Sequence, residues 1–344
     1  MQEAPLTEAS AAQARERLVA FAGEMAAGLA HPRQRENALI YVRGLIEHGG
    51  RKSLQPTLQR LGEDAARYES VQQFLADSPW DARLLVRACA ERVAPELAVA
   101  AWVVDDTGVV KDGRHSPGVK RQYSGTLGKV GNCQVTVSLH AAGERGTLPL
   151  GWTLYLPEEW CADAPRRRKA KIPEAVDFQT KPQLAAALAT AAAGWEAPRA
   201  PILADAAYGD NTAFRTLVCR RTAGGGRVRG RFACLRVVAA HPVERDHQPP
   251  RVEWLIIEWP AHEEAPIDYW LSNLPEGVAP GRLARLARLR WTIELDYRQL
   301  KGELGLDHYE GRSWLGWRHH TALVSAAHGF LTLERLRPKA RRPA

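Results

Sequence analysis

The chain has 344 residues, 45% of them hydrophobic and 25% charged, and a formal net charge of +8. This composition is typical of an ordinary globular protein of two or three domains, and the positive charge favours a polyanionic partner. The five cysteines lie far apart with no CxxC pair, which argues against a zinc site or a disulfide framework.

Targeting and membrane signals are absent from the sequence. No apolar run reaches the ~18 residues that a membrane-spanning helix needs. The first ten residues are polar and acidic, unlike a signal peptide. Together with the scattered cysteines, these features predict a cytoplasmic protein with no membrane partner.

Residues 1–97 have the periodicity of helices. Apolar side chains recur at helical spacing over residues 11–27 and again over 34–47, and Gly49-Gly50 ends the second segment. Shorter helical segments follow up to Leu97. We expect a helical N-terminal domain over 1–97.

The pattern changes to strands at residue 98. A short apolar run, 99–104, ends in Asp105-Asp106, and a second, 201–204, runs into Asp205. The remaining predicted elements of this region are an alternating strand over 132–141, a strand over 151–156, and helices over 181–194 and 212–220. We assign 98–222 to the first part of a mixed α/β core.

A second group of strands follows a Gly- and Arg-rich loop. The segments 232–239, 252–259 and 267–272 are predicted strands, which makes 223–275 a β-rich insertion. A long helix over 282–304 and a last helix over 321–336 complete the core within 276–336. Residues 337–344 form a basic tail.

The predicted helix 282–304 carries one carboxylate among cations. At 100° per residue, four side chains fall within roughly 40° of one another: Arg290, Glu294, Arg298 and Lys301. Alone, this pattern describes an amphipathic surface helix with an ordinary ion pair. Two further basic segments, 166–171 and the tail, make a phosphate backbone the better explanation. Trp291 is expected to be an aromatic core anchor, with stacking on a displaced base as the alternative.

Two strands therefore end in aspartates, and a late helix presents Glu294. Carboxylates at the carboxyl ends of neighbouring strands converge on one crevice, and a crossing helix can supply a third. Three oxygen ligands with open positions suit Mg²⁺ or Mn²⁺. Two such ions about 4 Å apart can promote an in-line phosphoryl displacement. Each aspartate alone is more often a turn residue, so the signal lies in the order strand–Asp, strand–Asp, helix–Glu.

Several blocks of the chain resemble one family, the DDE transposases of bacterial insertion sequences. The blocks are WVVDDTG (102–108), RQYSGTLGKVGNCQ (121–134), LADAAYGD (203–210), YWLSNLP (269–275) and RWTIELDYRQLKGELGLDHYEG (290–311). The likeness is greatest to the cut-and-paste group with a Tyr-Arg-Glu-Lys signature. The last block is the most specific of the five.

The resemblance implies a fold and a set of catalytic residues. The fold is a ribonuclease-H-like mixed sheet flanked by helices, with a β-rich insertion. The catalytic, metal-binding carboxylates correspond to Asp106, with Asp105 as the alternative, to Asp205 and to Glu294. Arg290 matches the signature arginine, and Arg298 and Lys301 match the two basic positions after the glutamate. The signature tyrosine falls at Ala287 and is therefore missing.

The resemblance also implies an activity and its partners. Such enzymes cut double-stranded DNA at the terminal inverted repeats of an element and join the 3′-hydroxyl ends to target DNA. Two Mg²⁺ or Mn²⁺ ions serve as cofactors, and a homodimer forms on DNA in the nucleoid. The N-terminal domain is then either a packing cap or a DNA-end recognition domain. Arg121 and Lys129, in a Gly-rich loop between the first two strands, are either DNA contacts or residues that merely solvate a turn.

One departure leaves a second interpretation open. After the helix that follows Asp205, the insertion strands begin almost at once, so the chain is shortened relative to the family. The alternative to an active transposase is a catalytically impaired relative that only binds DNA. A phosphatase-like hydrolase needs Asp-x-Asp, which Asp105-Asp106-Thr107 does not provide, and an adaptor for acidic partners does not explain the three carboxylates.

Overall fold

A computed structural model describes residues 8–47, 49–125, 127–209, 211, 214, 232–238, 252–260 and 262–337. Its α-helices are α1 Glu8–Ala26, α2 Pro32–Ile46, α3 Leu54–Arg60, α4 Ala65–Ala76, α5 Ala82–Val93, α6 Glu158–Ala162, α7 Ala164–Lys169, α8 Lys181–Ala192, α9 Ala206–Gly209, α10 Pro280–Leu289, α11 Thr292–Gly302 and α12 Trp314–Leu336. Its strands are β1 Val99–Val110, β2 Lys120–Ser124, β3 Lys129–Gly143, β4 Gly146–Leu154, β5 Ile202–Leu203, β6 Phe232–Val238, β7 Val252–Glu258 and β8 Asp268–Ser272.

The predicted mixed α/β fold is confirmed. The main sheet has the order β2-β3-β1-β5, and β4 also pairs with β3. β1 is antiparallel to β3 and parallel to β5. Helices α8 and α11 lie on opposite faces of this sheet. Lys181 of α8 contacts Asp106 on one face, and Tyr297 of α11 contacts Ser138 on the other. The result is a mixed sheet with helices on both sides.

The N-terminal helices share a hydrophobic core with the C-terminal helix α12. α12 contacts α1, α2, α4 and α5 as well as β4. The rings of Phe21 and Phe330, for example, are 5.8 Å apart. The same cluster of buried residues continues into β1 and β3. Residues 8–97 are therefore helical as predicted, and they pack directly onto the sheet.

Strand β1 is longer than its apolar run. The predicted strand ended at Val104, but pairing with β3 continues to Val110. The prediction failed because two acidic residues interrupt the apolar pattern, whereas the backbone ladder does not depend on side-chain polarity. Asp105 and Asp106 consequently lie within a strand and not in a turn after it.

The single helix predicted over 282–304 is in fact two helices, α10 and α11. Between them the backbone bonds join Trp291 to Arg288, Ile293 to Arg290 and Glu294 to Trp291. Each of these bonds connects residues three apart, so the chain tightens into a 3₁₀-type turn. This turn changes the direction in which the later side chains point around the helix axis. Arg290 also lies outside the helix that carries Glu294.

The three strands predicted for the insertion form a separate antiparallel sheet, β6-β7-β8. It packs on α10 through a small cluster that includes Trp254, Ile256 and Leu283. Apart from residue 214, the helix predicted over 212–220 lies outside the described residues, as do the loop between β6 and β7 and residues 338–344 of the tail.

Candidate active site

The two adjacent aspartates of β1 point to opposite faces of the sheet. In the ladder with β3, Asp105 stands opposite Ser138 and Asp106 stands opposite Val137. Opposite residues in an antiparallel pair share a face, and successive residues alternate. The Ser138 hydroxyl lies 2.6 Å from the Tyr297 hydroxyl of α11. Asp105 is therefore on the side of α11, the helix of Glu294.

Asp106 lies on the other face, and its carboxylate is already engaged. The ammonium group of Lys181, at the start of α8, is 2.9 Å from its Oδ2. The hydroxyl of Tyr208 in α9 donates to the same oxygen at 3.1 Å. The structure thus does not bring Asp106, the first choice by sequence, to the face of Glu294, whereas it places the alternative, Asp105, there.

Asp205 and Asp105 follow level residues of two neighbouring strands. In the parallel ladder of β1 and β5, Val103 is level with Leu203, so Asp105 and Asp205 follow this pair by two residues each. The pKa of Asp105 is raised to about 7. Burial is the largest cause, the Asp106 amide and the Arg290 guanidinium oppose it, and the carboxylates of Asp106 and Asp205 add to it. The charges of Asp205 and Arg290 are therefore close enough to affect the ionisation of the Asp105 carboxyl.

Glu294 lies in the first turn of α11 and is exposed. Two buried neighbours, Ile293 and Tyr297, face the protein interior. Among the described residues, no three His, Cys, Asp or Glu side chains are close enough to hold one metal ion. Asp105 and Asp205 follow level residues of neighbouring strands, and Glu294 lies on the helix that packs against the face of Asp105.

The donor set of this site fits a divalent cation. Carboxylate oxygens are the ligands that Mg²⁺ and Mn²⁺ prefer. The raised pKa of Asp105 reflects a buried carboxyl near Asp205 and Asp106. A bound cation would favour the ionised form of each carboxyl, because its charge reverses the effect of burial. Asp105, Asp205 and Glu294 are the residues that could hold it.

A buried polar cluster, which the sequence did not reveal, attaches α11 to the sheet. The carboxylate of Asp296 lies 3.0 Å from Nδ1 of His140 and accepts from the Thr147 hydroxyl at 2.5 Å. Nε2 of His328, in α12, is 3.8 Å from Oδ1 of Asp296. Burial alone would raise the pKa of Asp296, but His140, His328 and Thr147 lower it. No sequence signal marked Asp296, which resembles one more acid of an amphipathic helix.

The three cations near Glu294 occupy different environments. Arg298 is exposed on α11. Arg290 precedes that helix and contributes charge near Asp105. Lys301 donates to the backbone carbonyl of Gly108 at 2.9 Å, and burial lowers its pKa. The common face of four residues predicted from the periodicity is thus divided by the turn before α11 and by the contact of Lys301 with β1.

Arg121 and Lys129 were predicted to lie in a loop, but they belong to β2 and β3 and are exposed. Their neighbour Tyr123 is 65% exposed.

The prediction of Trp291 as a core anchor is wrong, because 60% of its surface is exposed at the turn between α10 and α11.

The chain belongs to the DDE superfamily endonucleases, whose family match covers residues 24–252, more than half of the sequence. A relative, the probable transposase for insertion sequence element IS701 of Microchaete diplosiphon, is 29% identical over 170 residues. That alignment covers 49% of this chain and 41% of the relative. The resemblance to DDE transposases of insertion sequences is thereby confirmed. The family match includes Asp105, Asp106 and Asp205 and ends before Glu294.

Within the described ranges, no helix combines the length and the apolar character needed to cross a bilayer.

Proposed function

We propose that this protein is a DNA transposase that cuts phosphodiester bonds at element ends and joins the resulting 3′-hydroxyl ends to target DNA. The observation that carries the proposal is the position of Asp105 and Asp205, each two residues beyond the level pair Val103 and Leu203 of β1 and β5, in a chain that belongs to the DDE superfamily endonucleases. Carboxylates at this edge of an α/β sheet lie where such sheets usually bind their substrates.

In this proposal Asp105, Asp205 and Glu294 hold two Mg²⁺ or Mn²⁺ ions. Bound there, such ions activate the attacking oxygen and stabilise the leaving oxygen of a phosphodiester. Asp105 takes the place that the sequence assigned to Asp106, because Asp106 is paired with Lys181 on the opposite face. The Arg290 guanidinium, which favours the ionised form of Asp105, contributes positive charge on the side where a phosphate would enter.

Double-stranded DNA is the proposed partner, with a homodimer assembling on two element ends in the nucleoid. Arg298 is exposed on the helix of Glu294, and Arg121 and Lys129 are exposed on the β2–β3 hairpin. Exposed cations release counterions from a DNA backbone when they bind it. Lys301 supports β1 through the Gly108 carbonyl and is a weaker candidate for phosphate contact than Arg298.

The proposal is tested by nicking of a supercoiled plasmid that carries the gene with its flanking DNA. Wild-type protein should nick this plasmid with Mg²⁺ and not in EDTA. Asp205→Ala should abolish nicking while leaving DNA affinity in a gel-shift assay nearly unchanged, because the carboxylate binds metal and not DNA. Equal nicking by the variant would reject the assignment.

A DNA-binding protein without cleavage activity is the second candidate. It is favoured by the absence of a preformed three-carboxylate cluster among the described residues. The same two assays separate the candidates, since this protein would bind the flanking DNA with unchanged affinity in EDTA and would not nick it with Mg²⁺ or Mn²⁺.

Arg298→Gln should weaken DNA binding and make it less dependent on salt. Each lost phosphate contact reduces the slope of log K against log salt concentration by ~0.9. Arg199→Gln is the matched control. Arg199 is also exposed, but it precedes β5, whereas Asp205 follows the other end of that strand. Affinities measured by fluorescence anisotropy at several salt concentrations give the slopes. An unchanged slope for Arg298→Gln would remove this residue from the interface.

A further inference from the structure

One buried tyrosine contacts two of the candidate acids, Asp106 and Asp205. Tyr208 is 1% exposed. Its hydroxyl donates to Oδ2 of Asp106 at 3.1 Å, and its backbone N–H lies 3.3 Å from Oδ1 of Asp205. The same residue therefore contacts the carboxylate of Asp106 through its side chain and the carboxylate of Asp205 through its backbone.

The contact with Asp106 is reinforced by charge. Lys181 reaches the same Oδ2 atom at 2.9 Å. This single oxygen thus joins three elements: β1 through Asp106, α8 through Lys181 and α9 through Tyr208. Hydrogen bonds to an ionised acceptor are stronger than those between neutral groups, so the carboxylate of Asp106 is a firm attachment point for the short α9 turn.

In the part of the chain that the structure describes, Asp205 is otherwise held by short backbone contacts. Strand β5 pairs with β1 through only two residues, Ile202 and Leu203. Beyond them, the amides of Tyr208 and Gly209 donate to the backbone carbonyl of Asp205 at 3.2 and 2.9 Å. The orientation of the Asp205 carboxylate therefore depends on the α9 turn, and the turn is attached to the sheet through the Tyr208 hydroxyl.

We infer that Tyr208 and Asp106 are positioning residues that orient Asp205 for metal binding without touching the metal themselves. This inference rests on the proposed function, in which Asp205 is a metal ligand. Partners that hold a ligand in place affect metal affinity, typically by 10- to 100-fold when they are replaced. Asp106 then has a role distinct from that of its neighbour Asp105, although the two are adjacent in the chain.

The test is a titration of the full-length protein with Mn²⁺, with free ion measured by electron paramagnetic resonance. Tyr208→Phe removes only the hydroxyl and should raise the Kd for Mn²⁺ about 10-fold or more, with plasmid nicking restored towards the wild-type rate at saturating metal. Tyr41→Phe is the matched control: Tyr41 is buried and its hydroxyl lies 2.8 Å from Nδ1 of His320 in the helical core. Its Kd for Mn²⁺ should equal that of the wild type.

Lys181→Met probes the same network from a partly exposed side chain, and should raise the Kd in the same direction even if Tyr208→Phe does not fold. Wild-type affinity in folded Tyr208→Phe, or in Lys181→Met if the tyrosine variant is unfolded, would overturn the positioning role. Asp105→Asn separates this failure from that of the proposed function. If Asp105→Asn also binds Mn²⁺ with wild-type affinity, the proposed metal site itself is misplaced. If Asp105→Asn loses Mn²⁺ binding while the Tyr208 and Lys181 variants keep it, only the positioning role fails.

Discussion

Asp105→Asn should reduce metal-dependent nicking about 1,000-fold, whereas Asp106→Asn should retain most of the wild-type rate at saturating Mn²⁺. A metal ligand contributes several kcal/mol of transition-state stabilisation, and about 4 kcal/mol corresponds to three powers of ten. Asp106 faces Lys181 and Tyr208 instead, so an amide there preserves an acceptor for the tyrosine. Initial rates of plasmid nicking over a range of Mn²⁺ concentrations measure both variants.

The stability of metal-free Asp105→Asn provides an internal control. Burial raises the pKa of Asp105 to about 7, above its value in the unfolded chain. Ionisation of this group therefore opposes folding as pH rises from about 4 towards 7, and the loss is complete above that range. The Asn variant lacks this penalty, so its Tm at pH 8 should exceed that of the metal-free wild type. A lower Tm together with wild-type nicking would show that Asp105 is not the functional aspartate.

Asp296→Ala should destabilise the protein by about 3–5 kcal/mol, because it breaks a buried pair and leaves partners unsatisfied. His140 and Thr147 lose their acceptor, and α11 loses its attachment to the sheet. Urea unfolding at pH 7 measures the effect. Glu303→Gln is the control, since Glu303 is exposed near the end of the same helix and should change stability by less than about 0.5 kcal/mol.

The contribution of Asp296 should also depend on pH. The interactions with His140, His328 and Thr147 lower its pKa in the folded protein. A carboxyl with a lowered folded pKa contributes stability above its unfolded pKa and loses it as pH falls through the folded value. The difference in unfolding free energy between wild type and Asp296→Ala should therefore shrink below about pH 4. A difference that stays constant from pH 7 to pH 3 would contradict the ionised state of Asp296.

Much of the fold could be predicted because hydrophobic periodicity is a local property. The helices of the first 97 residues and strands β6, β7 and β8 lie where their apolar patterns indicated. The break between α10 and α11 was missed because the backbone angles at Arg290 and Trp291 remain helical. Only the hydrogen-bond spacing changes there, and no residue type marks that change.

The sequence by itself determined the family, the order of two strand aspartates followed by a helix glutamate, and the basic character of the chain. It could not choose between Asp105 and Asp106, because a shift of one residue moves a strand side chain to the other face. The ladder with β3 places Asp105, and not Asp106, on the face of α11, and the proposed site uses Asp105 for this reason.

Only the tertiary structure decided which acids and cations of α11 are paired with other parts of the protein. Asp296 meets His140, which lies 156 residues away in the chain, and Lys301 meets the carbonyl of Gly108. Helical spacing predicts which side chains share a face, but the partner of that face comes from a distant part of the chain. Burial and pairing, which determine the pKa of a group and its ability to bind metal or phosphate, are consequently set by packing and not by local pattern.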